Sequence, residues 1–178
     1  LTLIGQAFAH LLPENAIVVD ESITLARFFL QPTQQARPHD WLHTTGGAIG
    51  FGLPNAVGAA IACPQRPVFV LTGDGSAMYT LQALWTMARE QLHVITIVFA
   101  NRGYQILRGE LANVGVTEVG RNALRMLDVD QPQLDWVKLS EGHGVPADRV
   151  TDVDGFVATL REAMAKPGPH LIEVACPV

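Results

Sequence analysis

Val68-Phe69-Val70-Leu71-Thr72-Gly73-Asp74-Gly75-Ser76 is the stretch that decides the fold. A short, nearly continuous apolar run ended by glycine is the pattern of a strand covered on both faces. Behind it, Ser76–Glu90 carries Leu81, Leu84, Trp85 and Ala88 at helical spacing, so strand and helix together make one βα unit. The same alternation recurs on either side. Ile17–Asp20, Val94–Ala100 and Leu171–Ala175 read as buried strands, with a weaker one at Ala147–Val150. Leu3–Leu12, Ser22–Leu30, Pro54–Ala62, Pro132–Gly142 and Asp154–Ala165 read as helices; Pro13, Pro32, Pro64 and Pro167-Gly168 punctuate them. This order predicts an α/β protein, a three-layer sandwich with a mainly parallel, flavodoxin-like sheet. Gln31–Thr45 and Gly103–Leu127 fit no regular element and are expected to be loops.

The bulk numbers suit that fold and exclude several others. A length of 178 residues, 48% hydrophobic and 16% charged, describes one domain over residues 1–178 with a single large core. Net charge is −5 and no Lys/Arg cluster exists, so nucleic acid is not an expected partner. No apolar run approaches the roughly 20 residues that span a bilayer, and no secretory signal is visible, so a cytoplasmic protein is expected. Cys63 and Cys176 lack metal spacing and are expected to be reduced core thiols. The chain opens in mid-pattern without a Met, which suggests a piece of a longer polypeptide.

In an open parallel sheet, ligands sit beyond the carboxyl ends of the strands. Gly73-Asp74-Gly75-Ser76 lies there. Gly73 and Gly75 let a ligand approach the backbone, Asp74 offers a hard oxygen, and Ser76 is expected to open a helix whose N–H groups favour an anion. A carboxylate beside an anion calls for a cation between them, and Mg²⁺ is the common one. A plain turn capped by Asp74 explains the same residues equally well. At the end of the following strand stands Asn101, one helix and one strand further on, where it can share an ion with Asp74.

Gly-Asp-Gly, a spacer of this length and then Asn resembles the fingerprint of thiamine-diphosphate (ThDP) enzymes. The resemblance implies Mg²⁺ held by Asp74, Asn101 and the carbonyl of Gly103, with Gly73, Gly75, Ser76 and Tyr104 around the diphosphate. The family has a second Asn where this chain has Ala100. Gly46-Gly47-Ala48-Ile49-Gly50-Phe51-Gly52-Leu53-Pro54 resembles the segment that cradles the cofactor's rings. There Ile49 would bend the cofactor and the Gly47 carbonyl would accept from its aminopyrimidine; close helix packing is the competing explanation. No GxGxxG follows the first strand, which removes a Rossmann-type oxidoreductase from consideration.

Gly73–Trp85 looks like benzoylformate decarboxylase, whereas the frame around Leu134–Leu139 looks more like the acetolactate synthase branch. Either implies decarboxylation of a 2-oxo acid, with or without ligation of the product, and a non-catalytic cofactor-binding subunit is the alternative. The resemblance further implies a homodimer or homotetramer whose active site is completed by the pyrimidine-binding domain of a neighbouring subunit. Ser22 and Thr24 are candidates either for the diphosphate or for helix capping, and His43 for the border of the substrate site. His10, His93, His143 and His170 are expected to be structural, and Glu21 and Arg27 to be solvated or interface charges. Arg108-Gly109-Glu110 stands where the family carries aromatic pocket residues.

Overall fold

Strands β1 (Ile17–Glu21), β2 (Asp40–His43), β3 (Val68–Gly73), β4 (Val94–Ala100), β5 (Ala147–Val150) and β6 (His170–Ala175) form one sheet in the order β2-β1-β3-β4-β6-β5. Every neighbouring pair is parallel, with Ile17 opposite Val68, Val70 opposite Thr96, and Ile97 opposite Ile172. The computed structural model describes residues 1–25 and 27–176. Ala26, within the expected helix Ser22–Leu30, and the side chain of Arg27 lie outside the described residues.

Alternation along each strand builds two cores, and so three layers. Val18, Phe69, Leu71, Ile95, Ile97, Phe99 and Ile172 face one side, against α1 (Thr2–Leu11), α2 (Arg27–Thr33) and α9 (Val153–Ala165). Ile17, Val19, Val68, Val70, Val94, Val98 and Leu171 face the other, against α3 (Gly52–Ala62), α5 (Ala83–Arg89) and α8 (Trp136–Gly142). Each fully buried Phe or Leu contributes about 1.5–3 kcal/mol by leaving water. On the first face the rings of Phe8, Phe29, Phe69 and Phe99 also meet, Phe8 on Phe69 at 5.6 Å and 83° and Phe29 on Phe99 at 4.9 Å.

Several expectations need correction. The loop expected at Gln31–Thr45 contains β2, an edge strand whose side chains are mostly exposed and which therefore lacks the apolar run of its neighbours. The loop expected at Gly103–Leu127 contains α6 (Gln105–Asn113) and α7 (Arg121–Leu127), neither packed deeply. The single helix expected at Ser76–Glu90 is broken into α4 (Asp74–Ala77), a stretch of turns, and α5, so Ser76 does not open a helix. The second helix, expected from Ser22, spans Arg27–Thr33 and runs through Pro32. Cys63 and Cys176 are free thiols, as expected. Among the described residues no helix is long and apolar enough to cross a membrane.

The topology sets the position of the site. From β1 the chain moves outward to β2, then returns across β1 to β3 and continues in the opposite direction to β4. Connections therefore diverge between β1 and β3, and a crevice opens beyond their carboxyl ends.

Candidate functional site

That crevice is a cleft of about 260 Å³. Its walls come from the segment after β1 (Ser22, Thr24), the glycine loop before α3 (Gly47, Ile49), the end of β3 (Gly73, Asp74, Gly75, Ser76) and the segment after β4 (Asn101, Gly103, Tyr104). Four stretches far apart in sequence thus converge on one space. His43 is not on the lining; its exposed ring stands 3.6 Å from Asp20 Oδ2.

Asp74 lies at the floor, 3% exposed. Its Oδ1 accepts the N–H of Gly75 at 2.8 Å and its Oδ2 the N–H of Arg102 at 2.7 Å. Burial pushes the Asp74 carboxyl above the usual carboxylate range, against the downward pull of those two N–H groups, and the charge of Glu173 adds to the rise. Asn101 is held by a short turn in which its Oδ1 accepts the Gly103 N–H at 3.2 Å. Tyr104 closes over Gly75. A Cβ on Gly75 would stand 2.5 Å from Tyr104 Cε1, so only glycine admits this contact. Burial, followed by the charges of Tyr79 and Asp74, raises the Tyr104 phenol.

Two lining segments carry backbone strain. Ile23 (φ 47°) and Arg102 (φ 60°) are non-glycine residues in the left-handed region, which is costly for a β-branched side chain such as Ile23. Ser22 reaches the cleft, but its hydroxyl donates to Asp20 Oδ1 at 2.6 Å and its N–H to the same oxygen at 2.9 Å. Ser22 caps no helix, since its side chain holds Asp20 and α2 spans Arg27–Thr33. Asp74 is no cap either: Gly73 is the residue that precedes α4, and the Asp74 side chain reaches across to Arg102.

Glu21 is the residue that sequence reasoning misplaced. Expected to be solvated or at an interface, it is 1% exposed, and its carboxylate accepts the N–H groups of Gly50, Phe51 (3.1 Å) and Gly52 (2.7 Å). Its position at the end of a strand that opens with the apolar run Ile17-Val18-Val19 was the one available signal. Ile49 stands one residue before this clamp, 46% exposed, on the same cleft as Asp74.

The chemistry of the donors fits a divalent cation with a phosphorylated ligand. A carboxylate, a side-chain amide and a backbone carbonyl are all hard oxygens, the set preferred by Mg²⁺. Among the described residues no group of three His, Cys, Asp or Glu side chains could hold a metal. A family model described as thiamine pyrophosphate enzyme, C-terminal TPP binding domain, matches residues 22–174. The chain belongs to that family.

This TPP-binding domain is 55% identical over 168 residues to the IlvX protein of Mycobacterium tuberculosis, named for an acetolactate synthase large subunit. That match covers 94% of the chain and 33% of the relative. Benzoylformate decarboxylase of Pseudomonas aeruginosa is 36% identical over 164 residues, 92% of the chain and 30% of the relative. Among solved structures, the ThDP-dependent 4-hydroxybenzoylformate decarboxylase of Rhodococcus jostii RHA1 superposes with a TM-score of 0.88 at 34% identity. It covers 99% of this chain and 32% of that one. The chain thus spans about a third of the length of the curated relatives it matches. Thiamine pyrophosphate and ThDP are one molecule, and it is the cofactor of this domain.

Proposed function

We propose that this domain holds the diphosphate of ThDP through Mg²⁺, with Asp74, Asn101 and the Gly103 carbonyl as its protein ligands. The bound cofactor supplies an electron sink for decarboxylation. The chain's own residues bind and orient. Gly73, Gly75, Ser76 and Tyr104 surround the diphosphate, Thr24 faces it from the segment after β1, and the Gly47 carbonyl and Ile49 side chain set the attitude of its rings. The observation that carries this reading is the convergence of Asp74, Asn101, Gly103, Gly47 and Ile49 on one cleft at the switch point of the sheet.

On this reading the domain is the C-terminal part of a cytoplasmic enzyme that decarboxylates a 2-oxo acid and ligates the product, in the manner the acetolactate synthase name of the 55% relative suggests. A pyrimidine-binding domain of a neighbouring subunit completes the site in a homodimer or homotetramer. A second reading, decarboxylation without ligation, is favoured by the benzoylformate decarboxylase names of a 36% relative and of the superposed Rhodococcus structure. Turnover of the complete polypeptide with ThDP and Mg²⁺ on a panel of 2-oxo acids tests both. Carbon dioxide release with a two-substrate adduct supports ligation, release with free aldehyde supports simple decarboxylation, and no release from any 2-oxo acid overturns the proposal.

A further inference from the structure

We propose that Glu21 is a positioning residue for the cofactor: clamped onto the backbone N–H groups of Gly50, Phe51 and Gly52, it fixes the wall that carries Gly47 and Ile49. The inference rests on the reading above that this wall receives the rings of ThDP.

Glu21 ends a strand that is buried along its whole length, where a carboxylate is costly unless hydrogen-bonded. Both of its oxygens are engaged: Oε1 with Gly50 and Phe51, and Oε2 with Gly52 at 2.7 Å. With both oxygens accepting, Glu21 is committed to the loop rather than to proton transfer. The loop is shaped to receive it. A Cβ on Gly52 would stand 2.7 Å from Glu21 Oε2, so glycine is what permits the approach.

The clamp has a second jaw. Thr80 Oγ1 donates to the Gly50 carbonyl at 2.9 Å, so Gly50 is gripped through its N–H by Glu21 and through its C=O by Thr80. Gly50 adopts φ 85°, and a Cβ there would stand 2.9 Å from Tyr79 Cβ. Ile49 is the next residue along the chain. Ahead of it, Gly46 and Gly47 have positive φ and open space where a Cβ would stand, and the loop is tied on that side through Thr44, whose N–H and hydroxyl each donate to the Asp20 carbonyl at 3.4 Å. The Glu21–Thr80 grip, on the residue next to Ile49, is the anchor that sets where Ile49 meets the cleft. A residue that merely stabilised α3 would alter melting temperature and cofactor affinity; a positioning residue alters the reactivity of cofactor that is already bound.

The test uses the complete polypeptide with ThDP and Mg²⁺. Cofactor affinity is read by near-ultraviolet circular dichroism titration. Reactivity is read as deuterium exchange at the thiazolium C2 proton of bound ThDP, by acid quench and NMR. Glu21→Gln is expected to slow that exchange about 100-fold, the scale of a 1 Å misplacement. Its ThDP dissociation constant should change less than about threefold. Amide hydrogen exchange at Gly50–Gly52 should rise in the same variant. Thr80→Val, which keeps Glu21 and removes one jaw, should slow C2 exchange about tenfold at similar affinity; it carries the test if Glu21→Gln does not fold. Unchanged C2 exchange in the folded variants overturns the positioning role. Failure of the unsubstituted protein to bind ThDP overturns the site reading itself, and the positioning role with it.

Discussion

The carboxylate of Asp74 accepts the backbone N–H of Arg102 at 2.7 Å, joining the turn after β3 to the turn after β4. The residue read as a metal ligand thus also fixes the segment that presents Asn101 and Gly103. The two roles separate by substitution. Asp74→Asn keeps an oxygen for Arg102 and loses the charge; Asp74→Ala loses both. Either should lower Mg²⁺-dependent ThDP affinity by about 100-fold or more, since a charge-assisted contact is removed. Only Asp74→Ala should raise amide hydrogen exchange at Arg102. ThDP affinity unchanged in Asp74→Ala would remove Asp74 from the site.

Gly75 is predicted to tolerate no side chain without loss at the cleft. The obstruction is the ring of Tyr104, a side chain and not a fixed backbone, so the ring can move aside. Gly75→Ala should therefore fold, at a cost of about 1–3 kcal/mol for overpacking. The displaced ring should weaken ThDP binding about tenfold. Calorimetric titration beside a thermal melt checks both, and native affinity in a folded Gly75→Ala would show that the Tyr104 position is immaterial.

Much of this was legible in the sequence, for a physical reason. Strands β1, β3, β4 and β6 are buried on both faces, and burial writes itself as apolar runs. β2 escaped because an edge strand has little to bury. The arrival of Asp74 and Asn101 at one cleft was readable because parallel neighbours place their carboxyl ends side by side. The Glu21 clamp was not, because its partners are backbone N–H groups some thirty residues away and backbone leaves no mark on side-chain pattern. The same limit hid the break between α4 and α5, where Leu81 and Leu84 keep helical spacing across a run of turns.

Gly5→Ala should be among the most damaging changes outside the cleft. A Cβ there would lie 1.8 Å from the backbone carbonyl oxygen of Phe28, so α1 and α2 could no longer pack. Backbone cannot rotate away as Tyr104 can. A loss at or above about 3 kcal/mol is expected, the upper range for overpacking. Denaturant unfolding of the soluble fraction measures it, and a change under about 1 kcal/mol would mean the helices slide apart freely.

The two thiols should differ in reactivity. Burial pushes the Cys176 thiol up to about 11, with the charge of Asp74 adding to the rise, whereas Cys63 is partly exposed. The thiolate is the reactive form, so at pH 9 iodoacetamide should label Cys63 at least about tenfold faster than Cys176. The sign of the stability effect follows from the raised value. Cys176 favours the folded state fully below its ordinary 9.0, and that contribution is lost as pH climbs through 9 toward about 11. Cys176→Ala should flatten this alkaline decline. Equal labelling of both thiols at pH 9, mapped by mass spectrometry, would contradict the burial of Cys176.

Finally, the 178-residue chain by itself is expected to release no carbon dioxide from 2-oxo acids, even with ThDP and Mg²⁺ supplied. The cleft holds about 260 Å³, below the roughly 300–1,000 Å³ of complete small-molecule sites. Its rim exposes Ile23 at 41%, Ile49 at 46% and Ile106 at 43%, an apolar margin suited to a covering surface. Leu53, in the first turn of α3, is wholly buried in the core, so the exposed edge is narrower than the glycine segment suggests. The Asp74, Asn101 and Gly103 oxygens are all present, so Mg²⁺-dependent binding of the diphosphate should survive in the isolated chain, though weakened. On the proposed reading, the pyrimidine-binding domain of a neighbouring subunit would supply a second wall, and with it the exclusion of water and a proton relay from the opposite side. Isothermal titration with ThDP and Mg²⁺, paired with a carbon dioxide release assay, separates the two properties. Binding without turnover is the expected result; turnover by the isolated chain matching that of the complete polypeptide would show that these residues alone build the active site.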